Sequence, residues 1–208
     1  LLILILLLIS PIIIIHRILN KKEDKKRVKE KFCFFSKKRG PGKLIWFHGS
    51  SVGEIMSVIP IIKKYDNDKS INKILITSST LSSSNILEKI KFKKVTHQFY
   101  PIDYFFFSNI FLNYWKPNIA IFLESEIWPS MFKAIKKRNI PLILLNARIT
   151  NKTFNRWLKL YNFSKSIFNL IDIAYPQNNE TKNFLKKFDL KKIKIIGNLK
   201  YIDNNDSK

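Results

Sequence analysis

Several segments that carry carboxylates, an arginine or a lysine follow directly on apolar, strand-like runs, and strand ends of this kind form the ligand crevice of an open α/β sheet. The first is His48-Gly49-Ser50-Ser51-Val52-Gly53-Glu54, after Lys43–Phe47. Its small residues let a ligand approach the backbone and let amide N–H groups face negative charge. It matches neither G-x-G-x-x-G nor the P-loop, so dinucleotide or ATP binding has no support. Glu54 closes the loop, a good position for a general base; the alternative is that it complements a helix macrodipole. The second segment, Glu124-Ser125-Glu126-Ile127-Trp128-Pro129, follows Ile119–Leu123. Two carboxylates at i, i+2 past a buried strand are costly unless used or paired. Glu126 alone could start a helix, since Pro129 suits a first turn. Asn146-Ala147-Arg148 follows Pro141–Leu145. The planar fork of Arg148 suits a carboxylate or phosphate, or a salt bridge to Glu124 or Glu126. Gln177 and Lys200 follow two later apolar runs, as ligand contacts or as a helix cap and a surface lysine.

The elements that must position these residues alternate along the chain. Strands are expected at Lys43–Phe47, Lys73–Ile76, Val95–Phe99, Ile119–Leu123, Pro141–Leu145, Ile171–Tyr175 and Ile193–Ile196. Helices are expected at Glu54–Tyr65, Ser82–Ile90, Asp103–Trp115, Trp128–Arg138, Asn151–Asn169 and Glu180–Lys187. Ile55, Val58, Ile59 and Ile62 give the first helix its apolar face, and Pro60 delays or kinks it. Such alternation implies βαβ units, a mostly parallel sheet and a Rossmann-like sandwich.

The chain has 208 residues, 46% of them hydrophobic, and 38 Lys+Arg against 15 Asp+Glu give a net charge of +23. That balance favours an anionic partner, but lysines are spread over nearly every segment, so charge alone decides little. The single cysteine, Cys33, excludes an intrachain disulfide, and His16, His48 and His97 lack metal-ligand spacing. Leu1–Ile15 is apolar apart from Ser10 and Pro11, and a basic cluster spans Lys21–Arg27. These residues read as the end of a membrane-anchor helix that is truncated at its start, with the downstream domain on the cytoplasmic side. The expected plan is an anchor over 1–19, a charged connector over 20–42 lying outside the core, an α/β domain over 43–201, and a linker from 202.

Read in order, W-F-H-G-S-S-V-G-E (Trp46–Glu54), Y-P-I-D (Tyr100–Asp103), E-S-E-I-W-P (Glu124–Pro129), N-A-R (Asn146–Arg148) and G-N-L-K-Y (Gly197–Tyr201) resemble the amino-terminal half of the 3-deoxy-D-manno-octulosonic acid (Kdo) transferases. The resemblance implies a GT-B glycosyltransferase, whose Rossmann-like amino-terminal domain faces the lipid A precursor (lipid IVA). A carboxy-terminal domain, missing from this chain, would bind the donor CMP-Kdo. It further implies Glu54 as the proton acceptor, and Glu124 and Lys200 as transition-state stabilisers. Ser51, Gly53, Arg148 and Gln177 are the expected substrate contacts, with no metal and no cofactor. The implied location is the cytoplasmic side of the cell inner membrane. The sequence departs from the family pattern at Thr80–Ser84, Ser130 and Ile202, which bears on acceptor details. The competing reading is a membrane-anchored basic module that binds anionic lipid or nucleic acid without catalysis. That reading leaves the paired carboxylates unexplained, and no nucleic-acid motif is present.

Overall fold

The computed structural model describes residues 16–20 and 23–200. Six parallel strands form one sheet: β1 (Leu44–His48), β2 (Lys73–Ser78), β3 (Val95–Phe99), β4 (Ile119–Leu123), β5 (Leu142–Ala147) and β6 (Ile173–Pro176), in the order β3-β2-β1-β4-β5-β6. Strand residues alternate between the two faces. Leu44, Trp46, Ala120, Phe122, Leu142 and Leu144 enter one core, while Ile45, Phe47, Ile74, Ile76, Ile121 and Leu123 enter the other. Burial on both faces is why the inner strands β1, β2, β4 and β5 carry apolar runs rather than an alternating pattern.

Helices α1 (Val52–Ser57), α2 (Ile59–Asn67) and α3 (Leu81–Lys89) cover the second face, through Ile55, Ile59, Ile62 and Leu87. Helices α4 (Phe105–Trp115), α5 (Pro129–Lys137), α6 (Asn151–Leu158), α7 (Tyr161–Phe168) and α8 (Asn179–Lys187) contribute to the first. The α/β, Rossmann-like expectation therefore holds.

Three local expectations change. The run 54–65 is two helices that meet at Val58, with Pro60 in the first turn of α2, where its missing N–H costs nothing. The run 151–169 also breaks, at Lys159–Leu160, with neither Gly nor Pro present. Ser164 Oγ there donates to the carbonyls of Trp157 and Leu160, at 2.6 and 2.9 Å, and braces the break beside the backbone bonds that Leu160 N and Ser164 N make to the same two carbonyls. Residues 193–196 do not form a seventh strand. Ile193 makes a single bridge to Ala174, and Ile195 and Ile196 are about two-fifths exposed.

A larger correction concerns the charged connector. Leu1–Ile15, where an anchor was expected, lies outside the described residues, and among the described residues no helix is long and apolar enough to cross a membrane. Residues 23–42, however, pack on the domain. Cys33 is buried in the core, and Phe35 stacks on Tyr114 at 3.8 Å. A 3-10 turn, Val28–Phe32, brings Glu30 to the open edge of β3. Glu30 accepts Phe99 N at 2.8 Å and both arms of the Arg27 guanidinium at 2.9 and 3.1 Å, and Arg27 donates in turn to His97 O at 3.0 Å. These side chains satisfy backbone groups that a further strand would otherwise satisfy.

His97 is buried in this corner, with Ser78 Oγ at 2.9 Å from its Nε2 and Arg27 Nη2 at 2.9 Å from its Nδ1. Burial, reinforced by the Arg27 charge, lowers its pKa from 6.5 to about 3. The unfolded chain takes up a proton below its ordinary pKa that the folded chain refuses. Stability from this group is therefore complete above about pH 6.5 and is lost as pH falls toward 3, by at most ~1.4 kcal/mol per pH unit. Urea titrations at pH 7 and pH 5 should show a smaller loss on acidification for His97→Gln than for the parent protein. Equal losses would remove His97 as the source.

Candidate active site

β1 sits where the sheet order reverses: β2 lies on one side, β4 on the other, and the chain leaves the β1 and β4 carboxyl ends by separate loops. That reversal opens the crevice in which α/β sheets bind ligands. The register sets His48 of β1 beside Phe122 of β4, so the 49–51 loop and the 124–128 loop emerge side by side. A Cβ on Gly49 would stand 2.9 Å from Leu123 Cδ1 and 3.1 Å from Glu54 Cβ, so any larger residue would press on the side chains of Leu123 and Glu54.

Ser51 caps α1, and its hydroxyl donates to Glu54 Oε1 at 2.8 Å, while Ser50 N donates to Glu54 Oε2 at 2.8 Å. Both oxygens of Glu54 are thus held, which fixes the carboxylate in the first turn of a short helix. Burial raises its pKa, the negative charges of Glu126 and then Glu124 add to that, and the two serine hydrogen bonds oppose it. The base and helix-start readings coexist in one side chain, because the bonds that orient Glu54 belong to the cap.

Glu124 is the residue after β4 and has a left-handed backbone, φ +51°. Its carboxylate is nearly buried, and its Oε1 lies 2.7 Å from Lys200 Nζ. The approach is off hydrogen-bond alignment and is therefore ionic. Lys200 reaches this point because Leu199 is buried in the core and donates its N–H to Asn146 Oδ1 at 3.1 Å. Gly53 borders the same spot, since a Cβ there would lie 3.8 Å from Lys200 Nζ. A small cavity is lined by Gly53, Met56, Ser57, Leu199 and Lys200.

Glu126 does not start a helix. Its Oε2 accepts Ser50 Oγ at 2.6 Å, Trp128 Nε1 at 2.8 Å and His48 Nε2 at 3.1 Å. Burial alone would raise its pKa, yet the hydrogen bonds from His48, Ser50 and Trp128 hold it below the ordinary value. The helix-start role belongs to Asp103, which accepts Ser130 N and Met131 N at 3.2 and 2.9 Å.

Of the expected contacts, Ser51 and Gly53 lie on the loop beside Glu54. Arg148 is exposed past the end of β5, and among the described residues Glu124 and Glu126 pair with Lys200 and His48 rather than with it. Gln177 donates its amide to Asn146 O at 3.0 Å, so that donor ties β5 to the chain after β6. Among the described residues no three His, Cys, Asp or Glu side chains converge to hold a metal. The site therefore offers an oriented carboxylate with a raised pKa beside a lysine–carboxylate pair, suited to accepting a proton near developing charge. Reading by strand ends missed His48, Ser50, Tyr100 and Asn146 as site-building residues. Tyr100 stacks on the His48 ring at 3.8 Å, with its hydroxyl buried. The available signal was polar residues placed at strand ends within otherwise apolar runs.

Comparison with known proteins agrees with the motif order. Residues 26–202 match the family described as 3-Deoxy-D-manno-octulosonic-acid transferase (kdotransferase). The chain is 36% identical over 197 residues to the 3-deoxy-D-manno-octulosonic acid transferase of Rickettsia bellii, covering 94% of this chain and 47% of that protein. It is 40% identical over 171 residues to a probable mitochondrial 3-deoxy-D-manno-octulosonic acid transferase of Arabidopsis thaliana, covering 78% and 38%. The chain thus spans about half the length, or less, of these relatives. Among solved structures, UDP-N-acetylglucosamine 2-epimerase from Rickettsia bellii superposes with a TM-score of 0.53 at 14% identity, covering 77% of this chain and 46% of that one. That likeness concerns the fold alone.

Proposed function

We propose that this chain, which belongs to the 3-deoxy-D-manno-octulosonic-acid transferase family, is the acceptor-side half of a GT-B enzyme that transfers Kdo from CMP-Kdo to the lipid A precursor, lipid IVA. The observation that carries the reading is Glu54, held through both oxygens and raised in pKa, next to the Lys200–Glu124 pair. In this mechanism an acceptor hydroxyl oxygen attacks the anomeric carbon of Kdo and its proton passes to Glu54. The bond from that carbon to the CMP phosphate oxygen breaks, and CMP departs as a stable anion. Attack opposite the leaving group inverts the anomeric configuration. A base that is too acidic accepts a proton poorly, so the raised pKa of Glu54 favours the step. Lys200 stabilises the negative charge of the donor carboxylate or phosphate, and Glu124 stabilises positive charge on the oxocarbenium-like sugar. Ser51, Gly53 and Arg148 border the acceptor, with the Arg148 fork suited to its phosphates. The donor is held by the half of the relatives that this chain does not span. The apolar Leu1–Ile15 run and the excess of lysine fit an enzyme anchored in the inner membrane and working on its cytoplasmic side.

The full-length protein, supplied with CMP-Kdo and lipid IVA, should yield a Kdo-extended lipid by mass spectrometry, with inverted anomeric configuration by NMR. The 208-residue chain alone should yield none. Turnover by the chain alone, or retention of configuration, would overturn this reading.

A further inference from the structure

We propose that Glu126 is the positioning residue of this site: through Ser50 it aims Glu54, and it supplies the negative charge beside that carboxylate. The proposal rests on the reading of Glu54 as proton acceptor and adds a residue to it. Ser50 is the link, because its hydroxyl donates to Glu126 Oε2 at 2.6 Å while its backbone N–H donates to Glu54 Oε2 at 2.8 Å. The loop that carries the base is therefore tied to the β4 loop at one oxygen. That oxygen is itself fixed from two other directions, by Trp128 Nε1 and by His48 Nε2.

His48 is fully buried, and burial lowers its pKa despite the adjacent carboxylate, so the ring stays neutral. With Glu126 ionised, Nε2 must carry the hydrogen, and Nδ1 accepts the Thr77 hydroxyl at 2.9 Å. A neutral histidine orients Glu126 without cancelling its charge. The other titratable groups facing this cluster are Glu54 from α1, Glu124 from the end of β4, Lys200 from the 197–200 segment, and Asp103 and Tyr100 from the turn before α4. Glu124 faces Lys200 at 2.7 Å, whereas Glu126 meets only the neutral His48 as a potential cation among the described residues, so its charge acts on Glu54 uncompensated.

The test uses the full-length enzyme and reads both turnover and the titration of Glu54, followed by carboxyl-13C NMR and assigned with Glu54→Gln. Glu126→Gln keeps the shape and an acceptor oxygen but removes the charge. The Glu54 titration and the acid limb of the kcat/KM profile should both move to lower pH, with KM for the lipid acceptor unchanged. Ser50→Ala keeps the charge and cuts the tie. It should lower kcat without moving the acid limb, since misplacement of a reacting group by about 1 Å can cost about 10²-fold. An unshifted Glu54 titration in a folded Glu126→Gln protein, or unchanged kcat in Ser50→Ala, overturns the proposal. A shifted titration with an unmoved activity limb instead upholds Glu126 in its role and removes Glu54 as the base. If Glu126→Gln does not fold, the Ser50→Ala outcome alone decides.

Discussion

Glu54→Gln in the full-length enzyme should lower kcat by about 10²–10⁴-fold, the usual worth of a positioned general base. The substitution keeps both contacts. The amide oxygen can accept Ser50 N, and the amide nitrogen can donate to Ser51 Oγ, which occupy the places now facing Glu54 Oε2 and Oε1. Folding should change little, because the charge removed is one that burial and Glu126 already disfavour. The loss of its favourable position in the first turn of α1 costs about 0.3–1 kcal/mol at most. Turnover and thermal midpoint, measured on the same preparation, separate loss of the base from loss of the fold. A folded variant with near-normal transfer would pass the base role to another carboxylate, with Glu124 next in line.

Glu30→Ala should destabilise the domain by about 3–5 kcal/mol, the cost of removing one partner from a buried ion pair. Arg27 Nε and the Phe99 N–H would lose their acceptor, Arg27 Nη2 would lose one of its acceptors, and Ser36 Oγ would lose its partner as well. Glu30→Gln should cost less, since an amide oxygen remains for Phe99. Urea unfolding measures both. A shift within the range of ordinary surface substitutions would mean that the Glu30 contacts contribute nothing to the stability of the domain. A chain begun at Lys43 should be weakened for the same reason, as it lacks Cys33 and Phe35 from the packed face.

Glu30 also marks the limit of what the sequence discloses. Strands β1, β2, β4 and β5 are legible because burial on both faces leaves apolar runs, and parallel order follows from the intervening helices. The residues between Glu23 and Gly42 show no such period. Their contacts run from single side chains to distant backbone groups, such as Glu30 to Phe99 and Arg39 to the Trp115 carbonyl at 2.8 Å, and pairs of that kind leave no pattern along the chain. The break between α6 and α7 is hidden for a similar reason, since it is closed by Ser164 one turn downstream. In the candidate site, Glu124 stands out through its position directly after a strand, and Glu54 and Lys200 through the loops that follow apolar runs and through family motifs. The Glu124–Lys200 contact joins residues far apart in sequence and depends on Asn146 holding Leu199, a bond that spacing does not reveal. His48 looks like one more strand residue until β4 is laid beside it.

Glu124 and Asn146, both non-glycine residues in left-handed conformation at strand ends, carry a consequence for how this domain changes over generations. Such backbones cost of order 1–3 kcal/mol each. Glycine at either position would relieve that cost, and would also delete the carboxylate that meets Lys200 or the amide that seats Leu199. A change to glycine at Glu124 therefore trades backbone strain against the charge beside Lys200, whereas at Asn146 it trades that strain against the seat of a core residue.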